Sequence, residues 1–432
     1  MTRRSMLTAL AIPAALVALV AGCDLNRVLE VAPANLVPAV DLEQPQNAPL
    51  LVNGVAGDFD CAFNAFVVVG GLIGEELEDA LQTAARWPYD QRNVTPDQNF
   101  YSTNNCTSLG IYAPLQGARV GANNVRRLLN TWTDAQVPNR QLHIARVAAY
   151  EAWAQLFLGE SFCETVFSTI EADTVRYATR ITKAQAIDSA ISTFSLAITT
   201  ATAVGGTAAD SIRFFSLAGR ARAYQDKGDL TNARVDAVAV PAAFVWNVTA
   251  SGASTRRQNR VFQENGVNNS PNSTVGARYR TLNDPRVPVA NLNRVSSGTN
   301  VPFWQQRKYT SVAAPIPLTS GQEMQLIIAE ADRTSNSANT ISIINTFRAA
   351  GNQGTYTGAT DPASLLNEII DQRRRALFLT GTHFPDIIRY NLTISPAQGA
   401  ATPWGQTYGP ATGSALCLPL PNVEKDNNPV LR

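Results

Sequence analysis

The sequence predicts a mainly α protein: a frame of antiparallel helical hairpins that carries a loop-rich irregular subdomain and a few short strands. Three observations predict it. Apolar residues recur with helical period from Leu109 to about residue 240. Between about 241 and 320 that period stops and the composition shifts to Asn, Ser, Arg and Gly. From 321 to 392 the helical period returns.

At the N-terminus, Arg3 and Arg4 precede an apolar run from Ala9 to Ala21 broken only by Pro13. A positive start followed by such a run reads as a secretory leader, too short for a membrane span. Its end, Val20-Ala21-Gly22-Cys23, resembles the bacterial lipobox, whose small residues let a dedicated peptidase cut before the cysteine. The resemblance implies a leader over 1–22 and lipid attachment at Cys23 through acyl chains such as palmitate, with the body folded outside the cytoplasm. Residues 23–50 then read as a tether, because Pro33, Pro38, Pro45 and Pro49 punctuate a stretch with neither helical nor strand period. Residues 51–432 read as one domain: a frame over about 109–240, an insertion over about 241–320 and C-terminal helices over 321–392.

Composition narrows the function. Without Arg3 and Arg4 the chain holds 33 bases against 34 acids, so it has no electrostatic case for binding nucleic acid. Cys61, Cys106, Cys163 and Cys417 remain once Cys23 is lipidated, an even number suited to an oxidising compartment. Four cysteines allow three pairings, and sequence alone does not choose among them. The preferred one is Cys61–Cys106, which closes a local loop, with Cys163–Cys417, which ties the C-terminus to a helix end. A metal site is not expected, since the cysteines form no CxxC pair and only His143 and His383 are available to assist. No cofactor motif is present either: Gly70-Gly71-Leu72-Ile73-Gly74 lacks the Gly-Lys-Ser/Thr of a phosphate loop.

Along the body, an apolar segment from Phe59 to Leu81 ends in Glu75, Glu76, Glu78 and Asp79, which are expected to start a helix or form its solvated face. Residues 86–107 read as an exposed polar loop carrying Trp87, Tyr89, Phe100 and Tyr101. Helices are then expected over Leu115–Trp132, Arg140–Phe162 and Lys183–Val204. The second of these places Ala145, Ala148, Ala149 and Ala152 on one face, which lets a neighbouring helix approach closely. Next comes a hairpin of Leu217, Ala221 and Tyr224, a turn at Gly228-Asp229, then Leu230, Ala233 and Ala237. This order resembles a tetratricopeptide unit, although Pro241 arrives early and no tryptophan opens it. Phe244–Val248 alternates like a short strand. Helical faces reappear at Met324, Ile327, Ile328 and Ala331, at Ile341, Ile344 and Phe347, and from Pro362 through Leu379.

Three blocks in the last third carry a more specific resemblance. They are Glu323-Met324-Gln325-Leu326-Ile327-Ile328-Ala329-Glu330-Ala331, then Ile344-Asn345-Thr346-Phe347-Arg348-Ala349-Ala350-Gly351, then Arg373-Arg374-Arg375-Ala376-Leu377 with Gly381 and Asp386-Ile387-Ile388-Arg389. With the closing Leu418-Pro419-Leu420-Pro421, they resemble the SusD/RagB-like family of outer-membrane nutrient-binding lipoproteins, as a divergent member. Ala376 and Thr380 stand where the family usually has Glu, and His383 where it commonly has Arg. Joint loss of such charges is what a compensated buried network shows.

The resemblance implies a non-catalytic binder, lipid-anchored in the outer membrane and facing the exterior. Such a protein hands an oligosaccharide or peptide to a TonB-dependent SusC-like channel. A sugar site needs an aromatic platform flanked by planar hydrogen-bonding groups. The candidates are Trp87, Tyr89 and Arg92, then Trp304 with Gln305 and Gln306, then Trp404 and Tyr408. Two alternatives stand beside this reading: an envelope scaffold of tetratricopeptide type with no small ligand, and a glycoside hydrolase using a carboxylate pair.

Overall fold

The computed structural model describes residues 39–102, 106–171, 174–267, 271–410 and 416–432. The segment expected to be a leader, Cys23 and the expected tether up to residue 38 lie outside the described residues. Two compact units are distinguished, Met1–Asn47 and Ala48–Arg432. In the first, Ala39–Leu42 forms a helical turn and Pro45–Asn47 a 3-10 turn, within the stretch expected to be an irregular tether. The body starts at Ala48 rather than at 51. Pro49, read from sequence as a breaker, sits in the first turn of a helix, where its missing N–H has no intrahelical partner to lose.

That helix, α1 (Ala48–Ile73), is the centre of the body. From Phe59 onward every residue is buried, and a helix apolar all round belongs in a core. It is long and apolar enough to cross a membrane, but 83% of its most apolar window is covered by the body. Around it pack α2 (Tyr112–Thr131) and α3 (Arg140–Ser161), and α4 (Lys183–Val204) lies against α3. Aromatic rings join these layers. Phe66 stacks on Phe157 at 4.3 Å between centroids, Trp153 on Phe215 at 5.6 Å, and Phe215 on Trp246 at 4.1 Å. A Thr182–Gln185 capping box starts α4, where Lys183 begins the expected range.

The tetratricopeptide-like hairpin is α5 (Thr207–Asp226) and α6 (Leu230–Val238). Gly228 takes φ +75° between them, and the Asp229 side chain caps α6 by accepting from Asn232 N–H. A small residue lets α5 nest on α4. A Cβ added to Gly219 of α5 would lie 2.2 Å from Cζ of Phe194 in α4. Met324, Leu326 and Ile327 of α7 (Gly321–Asp332), Ile344 of α8 (Ser337–Ala350) and Leu365 and Ile369 of α9 (Pro362–Ala376) close a second apolar cluster with Ala218, Ala221 and Ala233 of the hairpin. Beyond α9, His383–Tyr390 forms α10.

Strands are short and pair only in twos among the described residues. On the loop-rich side, β1 (Leu77–Asp79) pairs with β3 (Ser273–Val275), β2 (Val245–Val248) with β6 (Ile316–Ser320), and β4 (Val289–Val295) with β5 (Pro302–Gln306), all antiparallel. Cys61 is bonded to Cys106, and Cys163 to Cys417.

Two expectations for the early segments require correction. Glu75, Glu76 and Asp79 do not form a solvated helical face; they are buried, the last two completely, at and beside β1. Burial of carboxylates is tolerated here because each has partners. Arg278 pairs with Glu75 at 2.8 Å and Arg280 with Glu78 at 2.7 Å. Leu379 N–H donates to Glu76, and the N–H groups of Leu81 and Thr83 donate to Asp79. Nor is 86–107 an exposed loop throughout, since Tyr89, Asp90, Arg92 and Tyr101 are buried.

These pairs belong to a longer pattern. Residues 241–320 carry nine bases and two acids in a chain of net charge +1. The structure answers part of this excess from α1, β1 and the turn between them, in matching order: Asp58 with Arg256, Asp60 with Arg257, Glu75 with Arg278, Glu78 with Arg280. A strip of ion pairs thus runs along the seam between the insertion and the core helix with its strand.

Candidate ligand site

The structure disperses the sequence-derived site residues. Four are corrected from ligand contacts to internal ties. The Tyr89 hydroxyl donates to Leu109 O at 2.8 Å, and its ring meets Phe100 edge-on. The Arg92 guanidinium lies 4.9 Å from the centre of the Tyr408 ring and donates to Pro396 O. Tyr408 is itself 4% exposed. Gln305, likewise 4% exposed, donates to Gly266 O. An aromatic or amide already enclosed has no face to offer a ligand.

The three candidate tryptophans, Trp87, Trp304 and Trp404, stay partly exposed. They do not share one platform. Trp87 sits in a short helix, Trp87–Asp90, beside Arg86, which is paired with Glu264. Trp404 packs with Leu292 on Ala80, Val301 and Phe303. Phe303 and Trp304 are successive strand residues, so their side chains leave β5 on opposite faces.

Among the sequence-derived candidates, Trp304 alone lines a cavity of about 590 Å3, shared with Arg280, Asn283, Asp284, Val289 and Asn352. This size falls in the range of small-ligand sites. The strand that presents the indole is fixed from behind. Trp304 N–H donates to the Thr274 hydroxyl at 2.7 Å, and its carbonyl accepts from the Asn265 amide at 3.0 Å. The same Asn265 amide donates to Ser273 O, latching β3 to β5.

In the same lining, Asp284 folds the loop 280–288. Its carboxylate accepts from Arg286 N–H at 2.9 Å and from the Arg286 side chain at 2.9 and 2.7 Å, and Arg375 approaches it at 3.4 Å. Burial pushes the Asp284 carboxyl up, but these arginine contacts outweigh it and hold it below the ordinary value. Gly351 lies against this pair, where an added Cβ would fall 2.4 Å from Arg286 Nη2. That close approach brings the next residue, Asn352, to the rim.

Asn283 and Asn352 both take left-handed backbone, φ +48° and +55°. Both are exposed at the cavity, and their side chains have no hydrogen-bond partner among the described residues. Sequence reading singled out Trp304 and missed these amides. The one available signal was Asn283-Asp284-Pro285, a turn-forming run inside the irregular insertion.

A larger cavity, about 710 Å3, opens on the helical frame at Asp226, Glu330, Arg389 and Tyr390. Most of its charged groups serve the fold, with Arg389 holding Asp226 and Tyr390 donating to Glu330 at 2.6 Å. The only aromatic ring among its described lining residues is Tyr390. The Trp304 cavity, with an indole, two unused amides and no unpaired charge among its described lining residues, is the better candidate for a ligand site.

The sequence matches no protein-family model, and no curated protein is detectably similar to it. Solved structures are similar. A SusD superfamily protein from Bacteroides vulgatus superposes with a TM-score of 0.69 at 15% identity, covering 90% of this chain and 98% of that one. A SusD-like carbohydrate binding protein from the same species gives 0.64 at 16% identity, covering 81% and 84%. The surface glycan-binding protein A of Bacteroides uniformis gives 0.66 at 11% identity, covering 88% and 98%. The chain therefore has the SusD-like fold, mainly α with a helical-hairpin frame, over nearly its whole body.

Proposed function

We propose that this protein is a divergent SusD-like lipoprotein that binds an oligosaccharide at the Trp304 cavity without transforming it. The observation that carries this reading is the cavity itself: it is lined by the partly exposed Trp304 together with Asn283 and Asn352, whose amides have no partner among the described residues, on a fold whose similar structures include carbohydrate-binding proteins. Cys23 would hold the protein to the outer membrane, facing outward, and a TonB-dependent channel of SusC type would receive the ligand. A peptide cargo is the variant of this reading that the family resemblance also allows.

Binding without catalysis is supported by the carboxylates. A glycoside hydrolase needs two, one of them able to give up a proton near neutrality. The single carboxylate among the described residues lining this cavity is Asp284, held ionised by Arg286 and Arg375.

The test is a titration of the full chain in detergent against a panel of soluble oligosaccharides and peptides, with product analysis. Binding of at least one oligosaccharide, weakened at least tenfold in Trp304→Ala and with no new reducing ends, is expected. Binding of peptides alone, or release of reducing ends, overturns the proposal.

A further inference from the structure

The charge state of the Trp304 cavity points to the class of glycan it takes. Every charged side chain among its described lining residues is already committed. Arg280 donates through Nη2 to Glu78 at 2.7 Å and through Nε to Val275 O at 2.8 Å. Asp284 is enclosed by Arg286 and Arg375. Arg307 follows the strand but does not line the cavity.

The groups left open are neutral: the amides of Asn283 and Asn352, the Thr281 hydroxyl and the Trp304 ring. An amide donates through nitrogen and accepts through oxygen, which matches a hydroxyl that does both. A carboxylate or sulfate only accepts, and would ask for an unpaired Arg or Lys in bidentate reach. Among the described residues, none lines the site. Drawing Arg280 away to meet such an anion would leave Glu78, already disfavoured as an anion by burial, without its counter-ion.

We infer that the cavity selects neutral, hydroxyl-rich glycans and discriminates against uronate- and sulfate-bearing ones. This rests on the reading of the cavity as a glycan site. The two failures separate cleanly in one experiment.

The full chain in detergent is titrated calorimetrically with neutral oligosaccharides (gluco-, manno-, xylo- and arabino-) and with oligogalacturonate, alginate and heparin fragments. Each titration is run at about 20 mM and about 500 mM salt, conditions that span weak and strong screening. The expected result is a neutral ligand whose Kd changes less than about twofold between the two salts, with acidic fragments at least tenfold weaker. Asn283→Gly and Asn352→Gly should each weaken it about fivefold, the scale of one hydrogen bond. Glycine is the proper replacement, since alanine would strain a positive φ and confound the readout. Tightest binding by an acidic fragment, lost in high salt, overturns the neutral assignment and leaves the glycan reading standing. Binding of no glycan in the panel overturns both. Neutral binding unaffected by either Asn variant overturns the proposed recognition by amides.

Discussion

Arg373 holds Asp386 through two hydrogen bonds, Nε to Oδ2 at 2.9 Å and Nη2 to Oδ1 at 3.0 Å, with both side chains almost wholly buried. The pair fastens α9, a member of the second apolar cluster, to α10. Burial pushes the Asp386 carboxyl up, but Arg373 and then Arg389 outweigh it and hold it below its ordinary value. Arg373→Met should cost about 3–5 kcal/mol of unfolding free energy, because it leaves a buried carboxylate with one partner fewer. Arg373→Lys keeps the charge but loses the fork, and should fall between wild type and Arg373→Met. Urea denaturation followed by circular dichroism measures both.

Trp304 and Tyr89 were equivalent as sequence candidates and should now part. Trp304→Ala should lose ligand affinity and cost less stability than Tyr89→Ala, since the ring packs on the core but is partly exposed. Tyr89→Ala should lose about 3–5 kcal/mol of stability, because a ring with no exposed surface is deleted. A thermal melt of both, beside one titration, decides it.

Gly219→Ala tests the nesting of α4 and α5. A methyl group placed 2.2 Å from Phe194 forces that ring out of its pocket. The expected loss is about 1–3 kcal/mol, against the stabilisation that alanine normally brings to a helix interior. An unchanged or raised denaturation midpoint would contradict the packing.

Asp60 sets a pH dependence. Burial pushes its carboxyl up to about 6, against the opposing pull of Thr249, Arg257 and Arg146. A carboxyl that binds its proton more tightly folded than unfolded lends stability in full below the unfolded value near 3.8. That contribution is lost as pH rises through 6. Asp60→Asn keeps an oxygen for the Thr249 hydroxyl and cannot ionise. It should match wild type near pH 4 and exceed it by about 2–3 kcal/mol at pH 7. Differential scanning calorimetry across pH 4–7.5 reads the gap.

The two disulfides should differ in worth. Cys163 and Cys417 are 254 positions apart, Cys61 and Cys106 only 45. In the chain-entropy view, replacing the first pair with serine costs about 5.5 kcal/mol and replacing the second about 4 kcal/mol. Denaturant titration of the two double variants ranks them.

The helical frame was legible because it is written locally. The stripe of α3, the Lys183 start of α4 and the Asp361-Pro362 start of α9 each follow from residues within one or two turns. The early loop was illegible for the opposite reason. Arg92 looks like a surface arginine until Pro396 and Tyr408 arrive from the far end of the chain. Glu76 likewise depends on Leu379 N–H. At the site, Trp304 announced itself as a large ring in irregular sequence. Whether the amides of Asn283 and Asn352 are free is decided by what does not reach them, and no local pattern records that.

The matched strip of acids on α1, β1 and the turn between them against bases of the insertion carries a consequence for variation in relatives. Asp58, Asp60, Glu75 and Glu78 face Arg256, Arg257, Arg278 and Arg280 in the same order along both segments. A single sign change at Glu75 or Glu78 leaves two like charges in contact at a largely buried seam, whereas exchanging both members preserves it. Substitutions along the strip should therefore travel in couples, and an insertion transplanted from a relative should dock only when its own acidic strand is carried across with it. Arg280 belongs to the strip and also lines the Trp304 cavity, so the seating of the insertion and the shape of the candidate site share this residue.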